Sequence, residues 1–220
     1  MFISESNQKA IRERFAEMVN PVQIHYIESN LNCATCSEVR QLYEELTALS
    51  DLLTLHTYNL YADEERVKEL GVDKAPAALV TDDSGNNSGI WFYGAPSGYE
   101  FATLLEDILM VSKGDSGLKT ETRNQLARVS APLDLSVFVT PTCPYCPAAV
   151  HLAHQFAFES SSIVAAMVEA QEFPEWANEF NVYGVPKTVI NKSEAHSMEG
   201  AAPENVLLDK VMEAVAASKA

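Results

Sequence analysis

The chain has 220 residues, enough for one large domain or two of about 110, and its 47% hydrophobic and 21% charged residues are a globular composition rather than a fibrous or disordered one. Its 31 acidic against 15 basic side chains give a formal net charge of −16, which excludes nucleic acid as the expected partner, because a phosphate backbone needs clustered Lys and Arg to displace its counterions. The start, MFISESNQKAIRERFAEM, has no basic segment followed by an apolar run, and no stretch offers about 18 uncharged apolar residues, so neither a signal peptide nor a membrane span is expected and the chain reads as cytoplasmic.

In chain order, ESNQKAIRERFAEMV (5–19) predicts a leading helix and VQIHYIE (22–28) a strand. From Cys36 to about Leu49 a helix is expected, because Val39, Leu42, Tyr43 and Leu46 form one apolar stripe. LLTLHTYNL (52–60) reads as a strand and ADEERVKEL (62–70) as a short helix stopped by Gly71. PAALVT (76–81) and IWFY (90–93) are strands around the turn-rich DDSGNNSG (82–89), and YEFATLLEDILMV (99–111) is a closing helix. KGDSG at 113–117 is the expected linker between a first domain, 1–112, and a second, 118–220. The second part opens with a helix at KTETRNQLARV (119–129) and repeats the order: LDLSVFVT (133–140), a helix after Cys146, SSIVAAMVEA (161–170), FPEWANEF (173–180), PKTVI (186–190), a short strand near HSME (196–199) and a helix from about Glu204. Each part reads βαβαββα after its leading helix, which predicts an α/β protein of two tandem domains, each a central mixed sheet flanked by helices.

The repeat is also written in the cysteines. CATC (33–36) and CPYC (143–146) hold all four, at an offset of 110, and ELGVDKAPAALV (69–80) maps onto EFNVYGVPKTVI (179–190), so Pro76 matches Pro186. In both halves the proline follows the first cysteine by 43 residues. GAPSGYEFATLLEDIL from Gly94 resembles GAAPENVLLDKVMEAV from Gly200 at an offset of 106, leaving the second hairpin shorter by four residues.

Each cysteine pair stands between a predicted strand and a predicted helix. The first N–H groups of a helix have no internal partner and, with the helix dipole, favour an anion there. A cysteine at that junction therefore ionises more readily, and the thiolate is the form that attacks a disulfide. A second cysteine one turn on can close a disulfide with the first and release a reduced client. Pro144 and Pro147 fit the first turn, where a missing N–H is no loss, and leave the N–H groups of Tyr145 and Cys146 for the sulfur of Cys143. Cys146 shares a helix face with Ala149, Ala153 and Phe156, so it should point inward with Cys143 as the outer, attacking sulfur; likewise Cys33 is outer and Cys36 inner.

Other readings compete. A zinc site needs four converging thiolates, yet 106 residues (37–142) separate the pairs, far beyond the usual spacing of about 15–20. CATC has neither proline nor aromatic between its cysteines and is open to a purely structural role. His151 and His154 lie off the Cys146 face and read as surface or packing residues, Lys187 as a solvated strand residue, and Trp91, Phe92 and Tyr93 as hairpin packing.

A C-x-x-C at a strand-to-helix junction, with a proline 43 residues later opening the next strand, resembles the thioredoxin fold. In tandem, with CPYC followed by GVPK (184–187), the chain resembles over nearly its whole length the two-domain protein disulfide oxidoreductases, also called glutaredoxin-like proteins, of bacteria and archaea. The resemblance implies that Pro76 and Pro186 are cis and pack against the cysteine pairs, leaving the backbone of Ala75 and Val185 open to pair with an extended client. It implies thiol–disulfide exchange on protein disulfides, with Cys143 attacking, Cys146 resolving, Cys33 and Cys36 as a second redox pair, and electrons from a partner thioredoxin reductase using NADPH. No Gly-rich nucleotide loop stands between a strand and a helix, so no bound cofactor is expected.

The chain also departs from related patterns. Gly184 stands where glutaredoxins carry Thr, and TPT (140–142) supplies no basic residue before the motif, so glutathione is not expected. Thr142 and Asn32 replace the thioredoxin Trp, and Val137 and Ile27 replace its buried Asp six residues before the first cysteine, so proton transfer needs another route, such as water. Two alternatives stay open: a client-binding chaperone or adaptor with a docking first half, and an electron carrier to peroxide-reducing enzymes.

Overall fold

The computed structural model describes residues 2–85 and 87–218. Position 86, inside the expected turn at 82–89, lies outside the described residues. The first half begins with Ser4, whose hydroxyl accepts the Asn7 N–H and caps α1 (Glu5–Phe15); Glu5 in the first turn and Arg12 and Arg14 in the last complement the dipole. There follow β1 (Val22–Glu28), α2 (Cys36–Thr47), β2 (Leu53–Asn59), α3 (Glu64–Leu70), β3 (Ala77–Asp82), β4 (Asn87–Tyr93) and α4 (Glu100–Lys113). The second half runs α5 (Thr120–Leu126), β5 (Leu133–Val139), α6 (Cys146–Glu159), β6 (Ile163–Glu169), α7 (Pro174–Glu179), β7 (Lys187–Ile190), β8 (Ser193–Glu199) and α8 (Glu204–Ala217). No helix among these is long and apolar enough to cross a membrane.

The halves share one mixed eight-stranded sheet, in the order β2-β1-β3-β4-β6-β5-β7-β8. Within each half the central strand is parallel to one neighbour and antiparallel to the other, β1 between β2 and β3, β5 between β6 and β7. Parallel pairing of β4 with β6, from Ile90↔Ala165 to Tyr93↔Val168, then fuses the two sheets. The expectation of a separate sheet in each half is thereby extended, for a reason visible in the two strands. Ile90, Trp91 and Phe92 of β4, and Ala165, Ala166 and Met167 of β6, are buried on successive positions, so both strands are apolar on both faces. Such strands belong inside a sheet, and left as edges they would offer bare backbone to other chains.

Alternation along the strands sends Ile24, Tyr26, Phe92 and Val137 to one face, against α2, α4 and α6. Ile27, Trp91, Phe138 and Val168 go to the other, against Val67 of α3 and Ala177 and Phe180 at α7. One helix from each half meets at a buried carboxylate: the oxygens of Asp107 on α4 accept from His151 Nδ1 at 2.7 Å and His154 Nδ1 at 2.6 Å on α6. Burial alone would raise the Asp107 pKa, but His154 and His151 outweigh it and hold the carboxyl below its ordinary value. The two histidines therefore clamp the halves together instead of merely packing. Residues 114–119 between the halves are held to α6, with the Gln155 amide donating to the Ser116 carbonyl at 2.5 Å and the Ser116 hydroxyl to Glu159.

Gly89 sits at the seam with φ +72°, and a Cβ there would lie 2.5 Å from the Ile163 carbonyl oxygen and 3.1 Å from the Ala157 Cβ. Backbone cannot yield as a side-chain tip can, so Gly89→Ala combines a strained conformation with a forced opening of the β4–β6 edge. The variant is expected to lose about 2 kcal/mol in urea denaturation; a midpoint and slope equal to the parent's would contradict this account of the seam.

Candidate active site

Both cysteine pairs lie where a strand gives way to a helix, with Cys36 the first residue of α2 and Cys146 the first of α6. Thr35 and Tyr145, the residues just before, make no side-chain capping bond, so the first N–H groups of each helix are not taken by a local cap. Pro147 occupies the first turn of α6, where its missing N–H breaks no helical bond. Cys33 is bonded to Cys36 and Cys143 to Cys146, each pair with its Cα atoms 5.5 Å apart, a usual span for a disulfide. All four sulfurs are used in these two bridges, and among the described residues no cluster of three or more His, Cys, Asp or Glu could hold a metal ion.

Cys146 is completely enclosed and Cys143 is 7% exposed; Cys36 is 4% exposed and Cys33 half-buried. In each pair the first cysteine is thus the nearer to solvent. Their surroundings differ. The Tyr26 hydroxyl donates to the Cys36 carbonyl at 2.7 Å, and the Ser29 N–H points at the Cys36 sulfur at 3.3 Å. In the second half the Cys143 N–H closes a turn onto the Thr140 carbonyl at 3.1 Å, and Tyr145 stands 70% exposed beside the bridge.

The Ala75–Pro76 and Val185–Pro186 peptide bonds are cis. Both prolines are buried, while Ala75 and Val185 are half-buried. Each proline carbonyl accepts from the glycine that ends its hairpin, Gly94 at 3.0 Å and Gly200 at 2.8 Å. Lys187 departs from the expected solvated position. It is 3% exposed, and its Nζ donates to the carbonyls of Phe180 and Asn181 at 2.8 and 3.2 Å and to Glu194 at 2.6 Å. The alternation that turns it from the proline's face delivers it under the end of α7, where two carbonyls and a carboxylate satisfy its charge.

Sequence reasoning missed three carboxylates beside the cysteine loops. Glu100, the first residue of α4, is 1% exposed; its Oε2 accepts from the Thr103 hydroxyl at 2.9 Å and its Oε1 is enclosed without a partner among the described residues. Burial pushes its pKa up to about 7, opposed by the Thr103 hydrogen bond and reinforced by the charge of Asp107. The start of α4 is fastened to the loop that leads into CPYC: the Tyr99 N–H donates to the Pro141 carbonyl at 3.1 Å, and a Cβ on Gly98 would lie 2.1 Å from that same oxygen. From the second half, Glu172 reaches back to the first. Its Oε1 accepts from the Ala95 N–H at 2.6 Å and its Oε2 from the Thr35 hydroxyl inside CATC. Glu169, 4% exposed at the end of β6, accepts from the Glu172 N–H at 2.6 Å. In the sequence Glu100 reads as an acidic residue favouring a helix start, and nothing signals that it is buried.

Comparison with known proteins agrees with this arrangement. A family model described as "Thioredoxin domain" matches residues 133–213. The structure of a protein disulfide oxidoreductase from Aeropyrum pernix superposes with a TM-score of 0.90 at 32% identity, covering 99% of this chain and 95% of that one. The alkylhydroperoxide reductase protein AhpF of Enterococcus faecalis shares the fold, with a TM-score of 0.87 at 23% identity, over 95% of this chain and 99% of that one. Among curated relatives, the corresponding alkyl hydroperoxide reductase protein of Escherichia coli is 25% identical over 191 residues, 86% of this chain, and the chain spans about a third (34%) of that relative's length. With two bridged C-x-x-C pairs, each at a helix start, on a backbone shared from end to end with the Aeropyrum protein, the chain belongs to the protein disulfide oxidoreductases.

Proposed function

We propose that Cys143 is the attacking sulfur of this thiol–disulfide oxidoreductase, that Cys146 resolves, and that Cys33 and Cys36 form a second redox pair. The supporting observation is that the inner sulfur of each pair is enclosed while the outer one borders solvent at a helix start whose N–H groups no side chain caps. In the reduced enzyme the Cys143 thiolate attacks one client sulfur; a Cys143–client bond forms, the client S–S bond breaks, and the other client sulfur leaves as a thiolate that takes up a proton. Cys146 then gives up its proton and attacks the Cys143 sulfur, closing the enzyme's disulfide and expelling the second client thiolate. The second client thiolate takes up a proton in turn, so the client gains two electrons and two protons; the enzyme dithiol loses the same, one proton when Cys143 ionises and one from Cys146, and run backwards the sequence forms a client disulfide. Return to the dithiol needs an external reductant, which we assign to a thioredoxin reductase. An extended client segment pairs with the backbone at Val185, or at Ala75 in the first half, in the manner of an added strand. The work takes place in the cytoplasm.

We assign to Glu100 the proton route that Val137 cannot supply, because the start of its helix is fastened through the Tyr99 N–H to the Pro141 carbonyl, two residues before Cys143. Its pKa near 7 suits a group that must be ionised to accept the Cys146 proton and protonated to return it.

A second reading, electron carriage to a peroxide-reducing partner, is supported by the likeness to alkyl hydroperoxide reductase proteins. It uses the same exchange and differs in the acceptor. A purified thiol peroxidase reduced by the Cys143–Cys146 dithiol faster than insulin is reduced would favour it.

Insulin reduction with dithiothreitol tests the main reading. The parent is expected to outpace the reductant alone, Cys143→Ser to lose most of that gain and Cys33→Ser a smaller part; a parent no faster than the double variant would sink the assignment. Glu100→Gln is expected to slow the resolving step, read as release of the second client thiol in stopped flow, at least roughly tenfold and to remove a pH dependence centred near 7. Because the folded pKa of Glu100 is raised above its unfolded value of 4.5, the stability linked to it is full below that value and lost as pH rises through about 7. Glu100→Gln should therefore gain on the parent in urea denaturation between pH 5 and pH 8, by on the order of 1–2 kcal/mol. An unchanged difference between those two pH values would refute the buried, titrating carboxylate.

A further inference from the structure

Between the two cysteine loops lies a cleft of about 340 Å³. Thr35 of CATC borders it on one side and Pro141, two residues before Cys143, on the other, while Val39 of α2 gives it an apolar wall. Glu38, Glu169 and Glu172 bring three carboxyl groups to it, and no Lys, Arg or His is among the described residues that line it. Acidic residues crowded at a surface are ordinarily a solvated patch, but Glu169 is not solvated. It is 4% exposed, its Oε2 is engaged by the Glu172 N–H at 2.6 Å, and its Oε1 is enclosed with no hydrogen-bond partner among the described residues. A buried acceptor left without a donor is unfavourable, and native structures avoid it unless something arrives to fill the place. Glu172 is fixed beside it by the Ala95 N–H and the Thr35 hydroxyl, one bond to each oxygen, and each oxygen keeps a further lone pair.

Burial pushes the Glu169 carboxyl up, the Glu172 and Gln171 N–H groups pull it down, and the like charge of Glu172 pushes it up again. The group that would relieve both the missing donor and the like-charge crowding is a cation with several N–H donors. A bare metal ion does not fit, since among the described residues no cluster of carboxylates converges closely enough to hold one. A guanidinium does. Its planar fork offers five donors to acceptors that are spread rather than convergent, and its three-carbon stem can lie along Val39 and Pro141.

We propose that this cleft is a subsite for an arginine side chain of the client polypeptide, so that the enzyme prefers disulfides whose cysteine has an arginine close by in sequence. The proposal rests on the exchange reading given above and adds substrate selection to it. A client chain with its arginine in the cleft lies across the loops that carry both cysteine pairs, which turns a carboxylate pocket into a positioning device for the sulfur.

The test uses synthetic peptides with one cysteine in mixed disulfide with 5-thio-2-nitrobenzoate, carrying either arginine or its uncharged isostere citrulline at successive positions on either side. Attack by the enzyme dithiol releases the coloured thiol and leaves the peptide on Cys143, so the rate reports peptide docking. At one or two positions kcat/KM for the arginine peptide is expected to exceed that of its citrulline twin about tenfold, the size of one charge-assisted hydrogen bond. The ratio should fall toward one in Glu169→Gln and shrink severalfold in Glu38→Gln, whose exposed side chain is not needed for folding. Should Glu169→Gln fail to fold, the parent comparison and Glu38→Gln decide. Equal rates for arginine and citrulline at every position, or an undiminished ratio in a folded Glu169→Gln, overturn the subsite. A parent active on insulin but blind to the exchange of arginine for citrulline overturns the subsite alone; inactivity on insulin and on every peptide overturns the exchange reading and the subsite with it.

Discussion

The parallel pairing of β4 with β6 is the constraint from which the rest of the arrangement follows. Two copies of a strand-and-helix unit could be tethered by a loose linker and tumble independently; here four residues of each strand are hydrogen-bonded in register across the boundary. That register brings the turn after β4 over the loop before CPYC and the turn after β6 over the loop of CATC. Tyr99 therefore reaches Pro141, and Glu172 reaches Thr35 and Ala95. Each cysteine loop is thus contacted by backbone or side chains of the other half. The Asp107 clamp to His151 and His154 reinforces the same junction on the helical face.

Within that frame the two disulfides are alike in position and unlike in environment. Both begin a helix, where unsatisfied N–H groups favour a thiolate. The N-terminal pair is braced from its own half, by Tyr26 and by the Ser29 N–H aimed at the Cys36 sulfur. A donor on the sulfur favours its thiolate form when the bridge opens. The C-terminal pair is more deeply enclosed and lies in the loop fastened to Glu100's helix, a carboxylate whose charge state changes in the neutral range. One bridge is braced by fixed dipoles, and the other follows a loop fastened to the helix that Glu100 begins.

Most of this frame is legible in the residues. β1 spans 22–28 as its alternation predicts, and the helices begin at Cys36 and Cys146 as the prolines and apolar stripes require. Boundaries drift where the signal is weak. The helical pattern of 5–19 ends at Phe15, because Glu17 and Met18 turn back to carbonyls three residues earlier in a tighter coil. β8 runs from Ser193 although the sequence predicts only its end, since SEAHSME is a half-exposed edge strand whose polar residues carry no apolar alternation. What the chain order conceals is whatever depends on the partner half. Lys187 is a charged strand residue until the end of α7 is placed over it, and His151 and His154 are off-face histidines until Asp107 arrives from 44 and 47 residues away. No periodicity encodes such meetings; they follow from which strands become neighbours.

The internal repeat supplies its own control for these meetings. At the offset of 110, Glu169 and Glu172 correspond to Asn59 and Ala62, and at the offset of 106 Glu100 corresponds to Val206. Asn59 spends its side-chain oxygen locally, accepting the N–H groups of Tyr61 and Ala62 at 3.1 Å each, at an outer strand of the sheet. Val206 is 40% exposed. The carboxylates are therefore not features of the fold unit, which occurs twice, but of the place where two units touch, which occurs once. A buried carboxylate with a partnerless oxygen is unfavourable for folding, and the same fold does without it at each matching position. The acidic groups at the junction are therefore nothing that the thioredoxin-like framework itself requires, since it is built a second time without them.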